Sequence, residues 1–186
     1  MPAPVNRPPP RRQRRYAALC LAAALALNAA PARSATPTEY EIKAAFIRHF
    51  TQYVEWPAQA ERTRLRLCIL GKEPFGAALD VFRAHQGKEP GLDVAQIEPN
   101  ADLRGCQMLF VAASAEKYLG RVVAQAVGAG MLTIADSEGF GQRGIMINFV
   151  TENNRVYFEI NLNAILGSGL EVSSKLLSLG RKPAAE

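Results

Sequence analysis

Residues 107–135 read QMLFVAASAEKYLGRVVAQAVGAGMLTIA, and this stretch decides the fold. QMLFVAAS contains an unbroken apolar run of strand length, as a strand buried on both faces requires. AEKYLGRVVAQAVG then changes period, with Tyr118, Val122, Val123 and Ala126 at helical three-and-four spacing. MLTIA returns to a short buried run before the glycine-rich DSEGFG. A strand, a helix and a second buried strand in succession point to parallel pairing.

The same alternation extends upstream. RLRLCILG reads as a strand, PFGAALDVFRAH as a short helix and GLDVAQIE as a weaker strand. Ahead of them, TEYEIKAAFIRHFTQYVEWP sets Tyr40, Ala44, Ile47, Phe50, Thr51 and Val54 at helical intervals. This predicts a helix over residues 38–54, capped by Thr36 or Thr38 and stopped by Pro57. Phe46, Phe50, Tyr53 and Trp56 recur along it at core-packing intervals.

Downstream, GIMINFV and RVYFEINL flank TENNR, where Asn153 and Asn154 tolerate positive φ, so a hairpin is expected. Period-two alternation in its second strand sends Val156, Phe158 and Ile160 to a core face and Tyr157, Glu159 and Asn161 to the other. NAILGSGLEVSSKLLSLG then carries a mostly apolar stripe through Leu162, Ile165, Leu166, Leu170, Leu176 and Leu177, which predicts a closing helix. Gly167 weakens its first half by about 1 kcal/mol relative to alanine. The expected architecture is an α/β layered sandwich: a mixed sheet with a parallel centre and an antiparallel hairpin edge, helices on both faces.

The N-terminus indicates a compartment. Arg7, Arg11, Arg12, Arg14 and Arg15 precede YAALCLAAALALNAA, too short a run to span a bilayer comfortably, and ARSA supplies small residues at cleavage spacing. Residues 1–34 therefore read as a signal peptide cut after Ser34, or after Ala32 at APA. Cys20 follows Leu19 rather than a lipobox small residue and leaves with the leader. Six of the 22 Lys and Arg lie in this segment and none of the 17 acids do, so the remainder holds 16 bases against 17 acids. The basic pI is a targeting artefact, and nucleic acid is not an expected partner. Residues 35–180 then form one domain, followed by a short tail, 181–186, of a protein exported to the periplasm.

Two cysteines survive, Cys68 in LRLCILG and Cys106 in RGCQMLF. In an oxidising compartment a disulfide is the commoner outcome, against the alternative of two buried thiols. Their separation lacks the reactive C-x-x-C spacing of a thiol-disulfide enzyme. His49 and His85 stand in no metal spacing, and no G-x-S-x-G is present. GKEPFG resembles a phosphate loop only superficially, because Pro74 removes a donor and no Lys-Ser or Lys-Thr follows. Asp136 and Glu138 form a turn cluster, and Arg143 is a candidate pocket-lining residue. No catalytic residue, metal or cofactor is expected.

YEIKAAFIRHFTQYVEWP, LCILGKEPFG, CQMLFVAAS, MLTIADSEGFGQRGIMINFV, RVYFEINLNAI and GLEVSSKLLSLG, taken in order, resemble the YfiR family of periplasmic regulators. The resemblance runs from about Tyr40 to Leu179. It implies a homodimeric repressor that binds the periplasmic domain of an inner-membrane diguanylate cyclase and is released with the help of an outer-membrane lipoprotein. It also implies that Cys68 and Cys106 form the family's common disulfide, while a second bridge has no cysteines here. It carries Glu159 and Ile165 over as partner contacts. LGSG departs from the family pattern, in which a more helix-favouring polar pair precedes the final GL, and this alters the inferred contact surface. The competing reading is a periplasmic small-ligand binding protein feeding a sensor or transporter. N-terminal sequencing of the exported protein is expected to begin near Ala35; an uncleaved N-terminus removes the leader assignment.

Overall fold

The structure is a computed structural model that describes residues 36–56, 64–83 and 91–183. The expected leader, the Pro57 stop, His85 and the end of the tail lie outside the described residues. In chain order the elements are α1 (Glu39–Phe50), β1 (Val54–Glu55), β2 (Arg64–Leu70), α2 (Leu79–Arg83), β3 (Gly91–Ile97), β4 (Met108–Val111), α3 (Leu119–Ala126), β5 (Leu132–Ala135), β6 (Ile147–Glu152), β7 (Arg155–Ile160), α4 (Leu162–Leu166), β8 (Glu171–Val172) and α5 (Ser174–Leu179). Short 3-10 turns precede α2 and α3.

Six strands form the main sheet in the order β3-β2-β4-β5-β6-β7. The pairs from β3 to β6 are parallel, and only β6–β7 is antiparallel. Every residue of β4 and β5 is buried, as the unbroken apolar runs require of strands covered on both sides. The connection from β2 to β3 moves one way across the sheet and that from β4 to β5 the other. Right-handed crossovers then place α2 and α3 on opposite faces.

α1 starts where its sequence directs. The Glu41 N–H donates to the Thr38 hydroxyl at 3.3 Å and the Thr38 N–H donates to the Glu41 carboxylate at 2.6 Å, a reciprocal capping box. The helix ends at Phe50, short of the expected residue 54. The Thr51 hydroxyl turns back to the Arg48 carbonyl at 2.7 Å, and β-branched Val54 is buried by pairing with Val172 in a two-stranded β1–β8 ribbon. Trp56 then anchors the chain through its indole N–H to the Gln107 carbonyl at 3.0 Å.

The expected closing helix is in fact α4, β8 and α5. Gly169 adopts φ +81°, a conformation that breaks the helix and that glycine reaches without strain. The buried Ser168 hydroxyl donates to the Ile165 carbonyl at 2.7 Å and accepts from the Leu170 N–H at 3.2 Å, satisfying the backbone where the helix stops. The freed Glu171–Val172 segment completes the ribbon with β1.

Cys68 in β2 and Cys106 just ahead of β4 are joined by a disulfide, with their Cα atoms 5.8 Å apart. It crosslinks the strand pair at the sheet centre across a sequence separation of 38 residues. The chain-entropy model assigns such a loop about 4 kcal/mol. Replacing both cysteines with alanine is therefore expected to lower the urea midpoint by the equivalent of about 4 kcal/mol while the far-UV spectrum is retained; an unchanged midpoint would show that the bridge does not constrain the unfolded chain.

Candidate functional site

The β6–β7 hairpin turns through Asn153 and Asn154 at φ 49° and 62°, the left-handed pair of a two-residue hairpin loop. Its register sets Phe149 opposite Phe158 and Asn148 opposite Glu159. Phe149 and Phe158 meet Phe46 and Phe50 of α1, with ring centroids 5.3–6.2 Å apart. Alternation therefore directs Glu159 away from the aromatic layer beneath α1, where it lies half-buried.

Near its end the outer edge of β7 pairs with Arg181. The Arg181 N–H donates to the Phe158 carbonyl at 3.0 Å, and the Ile160 N–H donates to the Arg181 carbonyl at 2.7 Å. The Arg181 guanidinium lies 3.6 Å from the Tyr157 ring centroid and 2.8 Å from the Glu152 carboxylate. Tyr157, on the same side as Glu159, is thus covered. Residue 181 belongs with the sheet, one residue beyond the boundary expected from sequence.

At the end of β7 the chain passes into α4. Asn161 caps the helix by accepting from the Ala164 N–H at 3.0 Å, and its amide donates to the Gly141 carbonyl at 2.8 Å. Ile165 is 3% exposed and belongs to the core, whereas Leu162 and Leu166 are 48% and 72% exposed. Those two leucines are four residues apart and share one side of the helix. Ile165 seats α4, and its neighbours present the apolar surface. Sequence reading set all three on one mostly apolar stripe of a long closing helix and carried Ile165 over as a partner contact; its burial makes Ile165 a core residue rather than a contact.

A second cluster, absent from the sequence reading, ties α1 to the carboxyl end of β5. Lys43 is 3% exposed. Its ammonium lies 2.5 Å from the Glu39 carboxylate and 2.8 Å from Asp136. Tyr40 donates its hydroxyl to Asp136 at 2.9 Å, and its ring centroid is 4.6 Å from the Lys43 ammonium. The hydrogen bond from Lys43 holds the Glu39 carboxyl below its ordinary value. Burial, reinforced by the Asp136 charge, pushes the Tyr40 phenol up. A sequence signal existed: Lys43 falls between Tyr40 and Ile47 on the buried face of the helix.

The other candidates are occupied by structural contacts. His49 is exposed, 3.2 Å from the Gln52 amide, with its ring edge-on to Tyr53. Arg143 pairs with Glu116 at 2.6 Å and covers the Phe140 ring. In GKEPFG, the Glu73 carboxylate accepts from the Phe75 and Gly76 N–H groups, so the loop's donors are already filled by its own acid. The crevice between the carboxyl ends of β2 and β4, where the strand order reverses, is also filled. The Lys72 N–H donates to the Ser114 hydroxyl at 2.7 Å. A Cβ on Gly71 would meet that same oxygen at 2.7 Å. Among the described residues no group of three His, Cys, Asp or Glu side chains is gathered as a metal site.

A protein-family model described as YfiR/HmsC-like matches residues 40–181. The match spans the whole six-stranded sheet and, apart from Glu39, both clusters above.

Removing the Lys43 ammonium leaves Asp136, whose side chain is 8% exposed, without its cation. Lys43→Met is expected to destabilise the fold by about 3 kcal/mol or more at neutral pH, measured by urea unfolding. Glu39 contributes stability above its unfolded value of 4.5 that is lost as the pH falls through its depressed folded value. The deficit of Lys43→Met should therefore narrow on acidification below that value; a pH-independent deficit would show that the ion pair is not its source.

Proposed function

The chain belongs to the YfiR/HmsC-like family, and on that footing we propose that it is a periplasmic regulator of cyclic-di-GMP signalling that represses an inner-membrane diguanylate cyclase by binding its periplasmic domain. The observation that carries this reading is the β7–α4 surface. There a half-buried carboxylate, Glu159, ends a strand that leads directly into a helix with two exposed leucines. An apolar centre beside a charge is the composition of a protein-binding patch. Ile165 supports the patch from below, and Glu159, Leu162 and Leu166 meet the partner. An outer-membrane lipoprotein that competes for the regulator, and a homodimeric state, complete the proposed system. Among the described residues no helix is long and apolar enough to cross a membrane, consistent with a regulator that meets its cyclase from the periplasm.

Purified protein should bind the isolated periplasmic domain of its cyclase and lower the activity of the full-length cyclase in membranes. Glu159→Lys and Leu166→Asp, both at accessible positions, are expected to weaken that binding by about tenfold or more with little change in melting temperature. Unaltered affinity in both variants would remove this surface, and failure of the wild-type protein to repress any co-purifying cyclase would remove the repressor reading itself.

A further inference from the structure

β5 stops at Ala135, but its partner β6 continues to Glu152, and the two pair only at Ile134–Ile147 and Ala135–Asn148. Past that point the β5-facing side of β6 opens into a groove of about 500 Å³ between β6, the turn after β5 and the start of α1. Four carboxylates, Glu39, Asp136, Glu138 and Glu159, line it with a single cation, Lys43. Lys43 is committed to Glu39 and Asp136. Neither Glu138 nor Glu159 is engaged by a side-chain hydrogen bond or ion pair among the described residues.

The groove also holds an unmet acceptor. Asn148 is 1% exposed, lines the groove and stands directly across from Glu159, yet its Oδ1 has no hydrogen-bond partner. A buried oxygen of this kind destabilises the fold unless something donates to it. The groove therefore offers one buried, unsatisfied neutral acceptor and two carboxylates that are not engaged by a side chain. Their complement is a cation with several N–H donors. The carboxylates are not gathered tightly enough to hold a metal ion, and Val150 supplies an apolar flank for an alkyl stem.

We propose that this groove binds a small organic cation, an alkylguanidinium or alkylammonium, which donates to Asn148 Oδ1 and to the carboxylates of Glu159 and Glu138. A guanidinium suits it best, because its planar fork of donors can serve a carboxylate and an amide oxygen at once. The ligand assignment is independent of cyclase repression, since it is measured on the isolated protein.

The test is titration of the purified full chain with agmatine, using sodium chloride of equal ionic strength and the neutral amide propionamide as controls, followed by calorimetry and by the Asn148 side-chain amide resonances. Agmatine should bind saturably and shift those resonances, while neither control does. Glu159→Gln should weaken binding by about tenfold, the loss of one charge-assisted hydrogen bond. Glu138→Gln, at an exposed position, gives an independent reading of the same loss. Absence of saturable binding, equal responses to agmatine and sodium, or unchanged affinity in both glutamine variants would each overturn the proposal.

Discussion

A buried ammonium group organises one end of this protein. Lys43 stands on the inner face of α1, where an unpaired charge could not persist, and the requirement for partners fixes where the helix docks. Asp136 can meet it only because β5 delivers the chain to that point at its carboxyl end. The same pair holds Tyr40 above Asp136, and Tyr40 extends into an edge-to-face series with Phe75, Phe82 and Phe110. A polar contact therefore sets the placement of an apolar layer, whose aromatic pairs add about 0.5–1.5 kcal/mol each beyond area burial.

The two ends of β7 lie in different surroundings. Toward the turn, Tyr157 is spent on the Arg181 guanidinium, and the returning chain pairs with the sheet edge at Phe158 and Ile160. Toward α4, Glu159 remains unengaged between the acidic groove and the leucine-bearing helix. One carboxylate thus borders both a site suited to a small cation and a surface suited to a protein. Their proximity follows from the β-strand period, which directs Glu159 away from the aromatic layer that Phe158 occupies.

Much of this was legible in the residues. The unbroken runs of β4 and β5 announced strands covered on both faces, and the Asn153–Asn154 pair announced the hairpin turn and with it the side on which Glu159 lies. The residues offered Thr36 or Thr38 as the cap of α1, and the structure chooses Thr38 through its capping box. Two boundaries misled because local period competed with distant pairing. Val54 fits a helical interval in sequence, and Glu171–Val172 falls within the expected closing helix, but the two segments pair in a ribbon that buries Val54. Leu162 and Leu166 were set on the apolar stripe of a long closing helix, whereas the helix that carries them ends at Leu166 and leaves them exposed.

Sequence by itself determined the α/β class, the parallel centre, the antiparallel edge and the cysteines available for a bridge, because these depend on period, turn chemistry and residue count within short windows. Tertiary structure decided which charges meet. Lys43 and Asp136 are separated by 93 residues, and Asn148 and Glu159 face one another only through the hairpin register. Whether a carboxylate is paired, buried or free depends on neighbours that no local pattern encodes. The groove with its unmet acceptor and the exposure of the α4 leucines therefore became visible only when the chain was folded.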